Sequence, residues 1–211
     1  FKRRGQMVQD ILFAPRSPEG DFFDSRFSFT LRLALAAITF GVLLGIPAGV
    51  ISALKQNTWI DYVTAFITTI GISVPGFVVA IFLIYVFAVS LHLIPVVPKW
   101  DQTASWIMPS AVMGFGTMAS LARYTRTQML DVMRQDYIRT ARAKGLQERV
   151  VVLKHMLRNS LIPVVTILGP VIAGLLTGSF IIEQMFSFPG IGAEFVNSIF
   201  NRDYSMIMGT T

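Results

Sequence analysis

The chain has 211 residues, 53% of them hydrophobic and only 14% charged, with a mean hydropathy of +0.60. Soluble domains carry about a quarter charged residues, so a soluble domain is excluded, and 17 phenylalanines exclude intrinsic disorder. No cysteine is present, which removes disulfide frameworks, cysteine zinc sites and cysteine nucleophiles together. The net charge of +6 flanks apolar runs and does not mark a nucleic-acid surface. What remains is an all-α integral membrane protein.

Taken in order, residues 1–30 carry the Pro-, Gly- and charge-containing stretch Ala14–Phe23, which reads as an exposed loop. The transmembrane core is expected over 31–182, in four runs long enough for a hydrocarbon layer about 30 Å thick. The first, Leu31–Leu54, holds only Arg32, near its end. The second, Tyr62–Leu91, is uncharged and too long for one straight helix, and Pro75-Gly76 near its middle predicts a kink and a candidate gate element. The third, Ala104–Ala122, is the weakest, being interrupted by Pro109 and two glycines. The fourth is Leu161–Ile182. No run shows the two-residue alternation of a membrane barrel, and none sits where a removable signal peptide would. Residues 183–211 read as a segment outside the membrane that ends in the start of a further span, and the chain as part of a longer one.

Lysine and arginine set the orientation. Ten fall on the side of the 55–61 and 123–160 loops and seven on the other, and nine of the ten are concentrated in 123–160. That loop is placed in the cytoplasm, which puts 1–30 and 183–211 outside it. Between Leu33 and Ile182 the spans hold no acidic, basic or histidine side chain, which argues against proton-coupled carriers and intramembrane enzymes. His92 and His155 fall in loops on opposite sides and form no metal pair. The first span carries Ala37, Gly41, Gly45, Gly49 and Ala53 at four-residue spacing, one smooth face for helix packing or for a sliding seam. The fourth repeats the pattern with Gly169, Ala173 and Thr177, and with Gly174 and Gly178.

The 123–160 loop is not loop-like in composition. Met129, Val132, Met133, Tyr137, Ile138 and Ala141 recur at helical spacing up to Gly145, where a left-handed cap is expected. A second period, Leu146, Val150, Leu153, Leu157 and Leu161, then runs into the fourth span through Pro163. Two amphipathic helices bent at a glycine form a basic elbow that suits anionic lipid or a cytosolic partner. Nucleic acid is disfavoured, because only Tyr124 and Tyr137 are there to stack on bases.

Tyr137–Leu146 (YIRTARAKGL) and Val151–Pro163 (VVLKHMLRNSLIP) resemble the cytoplasmic loop of binding-protein-dependent ABC importer permeases. The likeness is to the peptide/nickel branch, in its B-type oligopeptide or dipeptide permeases. It extends to Gly45–Gly49 (GIPAG), Ser73–Phe77 (SVPGF), Phe188–Gly192 (FPGIG) and Asn201–Ser205 (NRDYS). Arg139 and Thr140 stand where the wider superfamily has Glu-Ala, and Leu157-Arg158 lacks its proline. The resemblance implies a type I importer transmembrane domain, here about four of six spans, in the cytoplasmic membrane. It implies a second permease subunit, two cytosolic ATPases that carry the ATP and magnesium, and an extracytoplasmic binding protein. No phosphate-binding Gly-rich loop occurs in this chain, so no cofactor is expected on it and no catalysis. Arg139, Thr140, Ala141, Arg142, Ala143, Lys144, Gly145 and Leu146 are the implied coupling helix, with Arg139, Arg142 and Lys144 as polar contacts and Ala141 and Leu146 as packing. The competing expectation is a secondary carrier or channel that works without nucleotide.

Overall fold

A computed structural model of the chain describes residues 7–18, 20–94, 99–100, 102–176 and 180–210. Thr177 and Gly178 of the predicted fourth-span stripe lie outside them. Among the described residues the structure is helical, with a single isolated bridge between Pro15 and Ser25 and no strand. The helices are α1 (Val8–Phe13), α2 (Arg26–Leu54), α3 (Trp59–Ser73), α4 (Gly76–Leu83), α5 (Ala104–Met133), α6 (Asp136–Ala143), α7 (Glu148–Val150), α8 (Arg158–Leu176), α9 (Phe180–Met185), α10 (Ile191–Asn201) and α11 (Tyr204–Thr210). Wider π-helical turns follow α4 at Ile84–Ser90 and join α7 to α8 at Val151–Leu157.

Two of these stretches are long and apolar enough to cross a membrane, α2 and the continuous helical run Glu148–Leu176. The pair Trp59–Ser73 and Gly76–Ser90 makes a third if taken as one broken span. The expected third span lies in α5, which has 30 residues but falls short of span-like apolarity. α2 has 29 residues, about 43 Å at 1.5 Å per residue, and begins five residues before the predicted span.

At Pro75 the structure has a break where the sequence suggested a kink in one helix. A proline disfavours helical backbone in the residue before it, and Val74 is extended at φ −84° and ψ 124°. The Val74 N–H still closes α3 on the Ile70 carbonyl at 2.9 Å, and the Pro75 carbonyl accepts from Val78 at 2.9 Å to start α4. Gly76 is not sterically required, since a Cβ there would meet only Ile182 Cδ1 at 3.8 Å. The helix expected to run from Met129 to Gly145 is also two helices: α5 continues to Met133, and Gln135, extended at φ −71° and ψ 146°, precedes α6.

The chain divides into two compact units, each assembled from separated segments. One comprises Phe1–Ala37, Pro75–Met113 and Ile172–Thr211. Its core joins Phe29, Leu33 and Phe188 to Trp100, Trp106 and Met113, and Ala80, Met108 and Val112 to Ile182 and Phe186. Phe188 is ringed by Trp100 at 4.7 Å, Trp106 at 5.1 Å and Phe29 at 5.7 Å, all edge-on, the favourable arrangement for aromatic pairs.

The other unit comprises Ile38–Val74 and Gly114–Val171. Here the α2 glycines meet α5 backbone to backbone. A Cβ on Gly45 would lie 2.6 Å from the Met118 carbonyl oxygen, one on Gly41 2.6 Å from Thr117 Cγ2, and one on Gly49 would overlap the Ala122 carbonyl. Such approach needs residues without side chains. Pro47 lies inside α2, and Pro163 and Pro170 inside α8.

Candidate functional site

The elbow is built from α6 outward. Ile138 and Ala141, three residues apart and so on one helical face, are buried in a cluster with Ala53, Met129, Val151 and Met156. That contact orients the helix: Arg139, Thr140, Arg142 and Ala143 are exposed, as are Lys144, Gly145 and Leu146 beyond its end. α6 stops in the full glycine C-cap. Gly145 is left-handed at φ 71°, its N–H donates to the Arg142 carbonyl at 2.9 Å, and the Leu146 N–H donates to that of Ala141 at 3.4 Å. α7 restarts at once from Gln147, whose carbonyl accepts from Val150 and Val151 at 2.9 and 3.1 Å.

Two predicted contacts have different surroundings from those the sequence suggested. Ala141, expected to pack on a partner, is 7% exposed and packs within its own chain, because it shares a face with Ile138. Arg142 spans the glycine to Glu148, its Nη2 donating to Oε1 at 2.6 Å and its Nε to Oε2 at 3.1 Å. That hydrogen-bonded carboxylate raises the Arg142 pKa. Arg139 makes a 3.4 Å contact with Asp136, and the elbow presents it outward together with Thr140, Ala143, Lys144 and the 41%-exposed Leu146. On the far side, Asn159 donates to Tyr137 Oη at 2.9 Å, and the buried Ser160 hydroxyl lies 2.9 Å from Met129 Sδ.

A second polar centre went unnoticed in the sequence. Asp61, in the first turn of α3, is 3% exposed and accepts from Ser52 Oγ of α2 at 2.5 Å and from the Asn57 N–H at 3.0 Å. Arg126 of α5 closes the site with Nε at 2.6 Å and Nη2 at 2.8 Å, a bidentate fork. Asn57 takes a left-handed conformation at φ 62° to complete the turn between α2 and α3. Three helices are thereby pinned on one carboxylate. Removing either partner of a buried pair costs about 3–5 kcal/mol, because the other charge is left unmet.

Pro75 and Gly76, the candidate gate, sit at the α3–α4 break. Gly41, Gly45 and Gly49 line α5 as described. Among the described residues no three His, Asp or Glu side chains gather as a metal site.

Long apolar helices joined to a basic, glycine-capped elbow define a helical membrane protein. The description "binding-protein-dependent transport system inner membrane component" matches residues 45–211, and the chain belongs to that family. It is 45% identical over 197 residues to the dipeptide transport system permease protein DppB of Bacillus subtilis strain 168, covering 93% of this chain and 64% of that protein. It is 42% identical over 193 residues to the oligopeptide transport system permease protein OppB of Escherichia coli K12 (90% and 63%). It is 44% identical over 192 residues to the glutathione transport system permease protein GsiC of Shigella flexneri serotype 5b (91% and 62%). The chain thus spans somewhat under two thirds of the length of these relatives.

Proposed function

We propose that the chain is part of the pore-forming permease subunit of an ATP-driven importer that carries dipeptides or oligopeptides across the cytoplasmic membrane. Its relatives' printed substrates support the peptide assignment, glutathione being itself a small peptide. In this reading the subunit is multi-pass, with 123–160 cytoplasmic and with 1–30 and 183–211 extracytoplasmic. It pairs with a second permease subunit, lipid surrounds it, and an extracytoplasmic binding protein delivers substrate. Two cytosolic ATPases hold ATP and magnesium and do the hydrolysis.

The observation that carries the reading is the elbow. Apart from the buried Ala141, residues 139–146 are exposed in a folded shape closed by the Gly145 cap, and Gln147 alone separates them from the Glu148–Leu176 helical run. Orientation alone needs charge and no such shape. ATP-driven closure of the ATPases moves the elbow, the attached helix carries the motion, and the Pro75-Gly76 break acts as the gate: two states biased by a ligand bound elsewhere. In the full-length subunit, Gly145→Trp inserts normally but loses substrate-stimulated ATPase activity of the assembled transporter; normal stimulation overturns the assignment. Pro75→Ala slows transport, and a normal rate reduces the break to a packing feature.

A further inference from the structure

The exposed loop expected over Ala14–Phe23 is folded shut on itself. Pro15 and Ser25 bridge across its base, and the Arg16 N–H donates to the Asp24 carbonyl at 3.3 Å. Ser17 gives both its N–H and its hydroxyl to Asp24 Oδ2 at 3.1 Å. A Cβ on Gly20 would lie 2.7 Å from Ser17 Oγ and 2.9 Å from Asp24 Oδ2, so the closure is tight. Aromatic side chains stand out from this shape. Phe13, Phe22 and Phe23 are 44%, 48% and 68% exposed, and their rings join Phe27 of α2 in one cluster with neighbouring centroids 5.0, 6.2 and 6.4 Å apart. A contiguous exposed apolar patch marks a surface that meets a partner or a membrane.

Two arginines stand beside these rings. Arg16 Cζ is 5.2 Å and Arg32 Cζ 4.7 Å from the centroid of Phe29, and Arg32 Cζ is also 5.2 Å from that of Trp106. Arg26, between them in the chain, is paired with Glu194 at 3.0 Å. Arg16 and Arg32 form no ion pair among the described residues. Arg32 donates from Nε to the Ser28 carbonyl at 3.3 Å and from Nη2 to that of Phe23, which leaves Nη1 uncommitted. Guanidinium combines attraction to ring faces with an N–H fork that matches phosphate. Two such groups at one ring, with no carboxylate between them, are complementary to an anion.

The start of α2 sets the depth of these groups. The helix begins at Arg26, five residues before its apolar run at Leu31, a rise of about 7.5 Å. One headgroup layer is about 5–7 Å thick. With α2 as a span, Phe27 falls among the lipid headgroups and Arg32 at the edge of the hydrocarbon. The loop is held at that level, because Phe22 packs on Phe27 and the Phe23 carbonyl accepts from Arg32. α2 is itself fixed there, Thr30 Oγ1 donating to Oε1 of the buried Glu183 in α9 at 3.2 Å. We propose that the 14–25 loop is a phospholipid-binding surface: Phe13, Phe22 and Phe23 enter the boundary between headgroups and acyl chains, and Arg16 and Arg32 hold the phosphate of one anionic phospholipid. Apolar area and basic charge together are what an interfacial surface needs. The site requires α2 to cross the membrane and nothing of the transport reading, so the failure of either leaves the other standing. With 1–30 extracytoplasmic, the lipid belongs to the outer leaflet.

The test uses the full-length subunit, alone and assembled with its partner subunits, in nanodiscs of phosphatidylcholine and phosphatidylglycerol. A spin label on Phe23→Cys is reached more readily by oxygen than by a water-soluble nickel chelate in both preparations, as at an acyl boundary. Separately, native mass spectrometry follows phosphatidylglycerol added to the delipidated complex. Arg16→Gln retains one lipid fewer than the unaltered complex and needs about tenfold more lipid to regain it, the size of a lost hydrogen bond to a charged group. Arg16 is exposed, so this variant keeps the original thermal transition. Excess inorganic phosphate leaves the lipid in place. A label open to nickel in the isolated subunit and shielded only in the assembled complex overturns the proposal, because the occupant is then a protein. Equal lipid retention by the two complexes also overturns it, as does displacement of the lipid by inorganic phosphate.

Discussion

Small residues recur at four-residue spacing on α2 (Gly41, Gly45, Gly49) and on α8 (Gly169, Ala173), and the glycines of the two helices meet opposite surroundings. On α2 a side chain at Gly41, Gly45 or Gly49 has nowhere to go, because α5 lies against the backbone. On α8 a Cβ at Gly169 or Gly174 meets nothing within 4 Å. The span-like windows differ in the same sense, 28% buried for α2 and 11% for Glu148–Leu176. A small-residue stripe therefore states only that a close approach is permitted; the partner decides whether it is used. For α2 the partner is in this chain. Close helix contact is worth the loss of side-chain area only where backbones actually meet, as those of α2 and α5 do.

The sharpest break of that contrast is at the end of the α2–α5 seam. Arg126→Ala leaves Asp61 buried and unpaired and costs about 3–5 kcal/mol, read as an early loss of the thermal transition of the purified full-length protein. Next comes the seam itself: Gly45→Leu or Gly49→Leu overpacks it by about 1–3 kcal/mol or more. Under the same measurement, Gly169→Leu and Gly174→Leu stay within about 0.5 kcal/mol in the isolated subunit. If the α8 face serves the second permease subunit, those two variants instead lower its co-purification. Gly145→Ala forces a side chain into a left-handed conformation for about 1–2 kcal/mol, felt locally as faster amide exchange at Leu146. The smallest effect belongs to Arg142→Ala: its bridge to Glu148 is exposed, so stability changes by less than about 1 kcal/mol, and less still at high salt.

The Gly145 cap was legible because only glycine takes a left-handed backbone without a steric penalty. The apolar runs were equally legible, since hydrocarbon tolerates few alternatives to them. The break at Arg134-Gln135 was hidden for a specific reason. Met129 on α5 and Ile138 and Ala141 on α6 pack into the same cluster, so the apolar spacing runs on across two helices as if there were one. The Asp61–Arg126 pair joins residues 65 apart, and Thr30–Glu183 residues 153 apart, distances at which no local spacing rule operates. Asp61 alone carries no signal beyond that of an acidic residue in a helix's first turn. Arg142 was assigned to a partner because its bond to Glu148 crosses a glycine at i+6, outside the i+3 and i+4 pairs of one helix.

The two prolines inside α8 have a consequence for wetting. Proline has no N–H to give to the carbonyl four residues earlier, so Asn159 and Thr166 lose their usual donors to Pro163 and Pro170. Seven residues apart, these prolines lie within about 20° of one face, and the two carbonyls stand about 10 Å apart along the axis. Lipid tails offer no donor to such oxygens. Asn159 precedes the apolar stretch that starts at Leu161, so the demand falls on the Thr166 carbonyl, whose face of α8 belongs against protein or water.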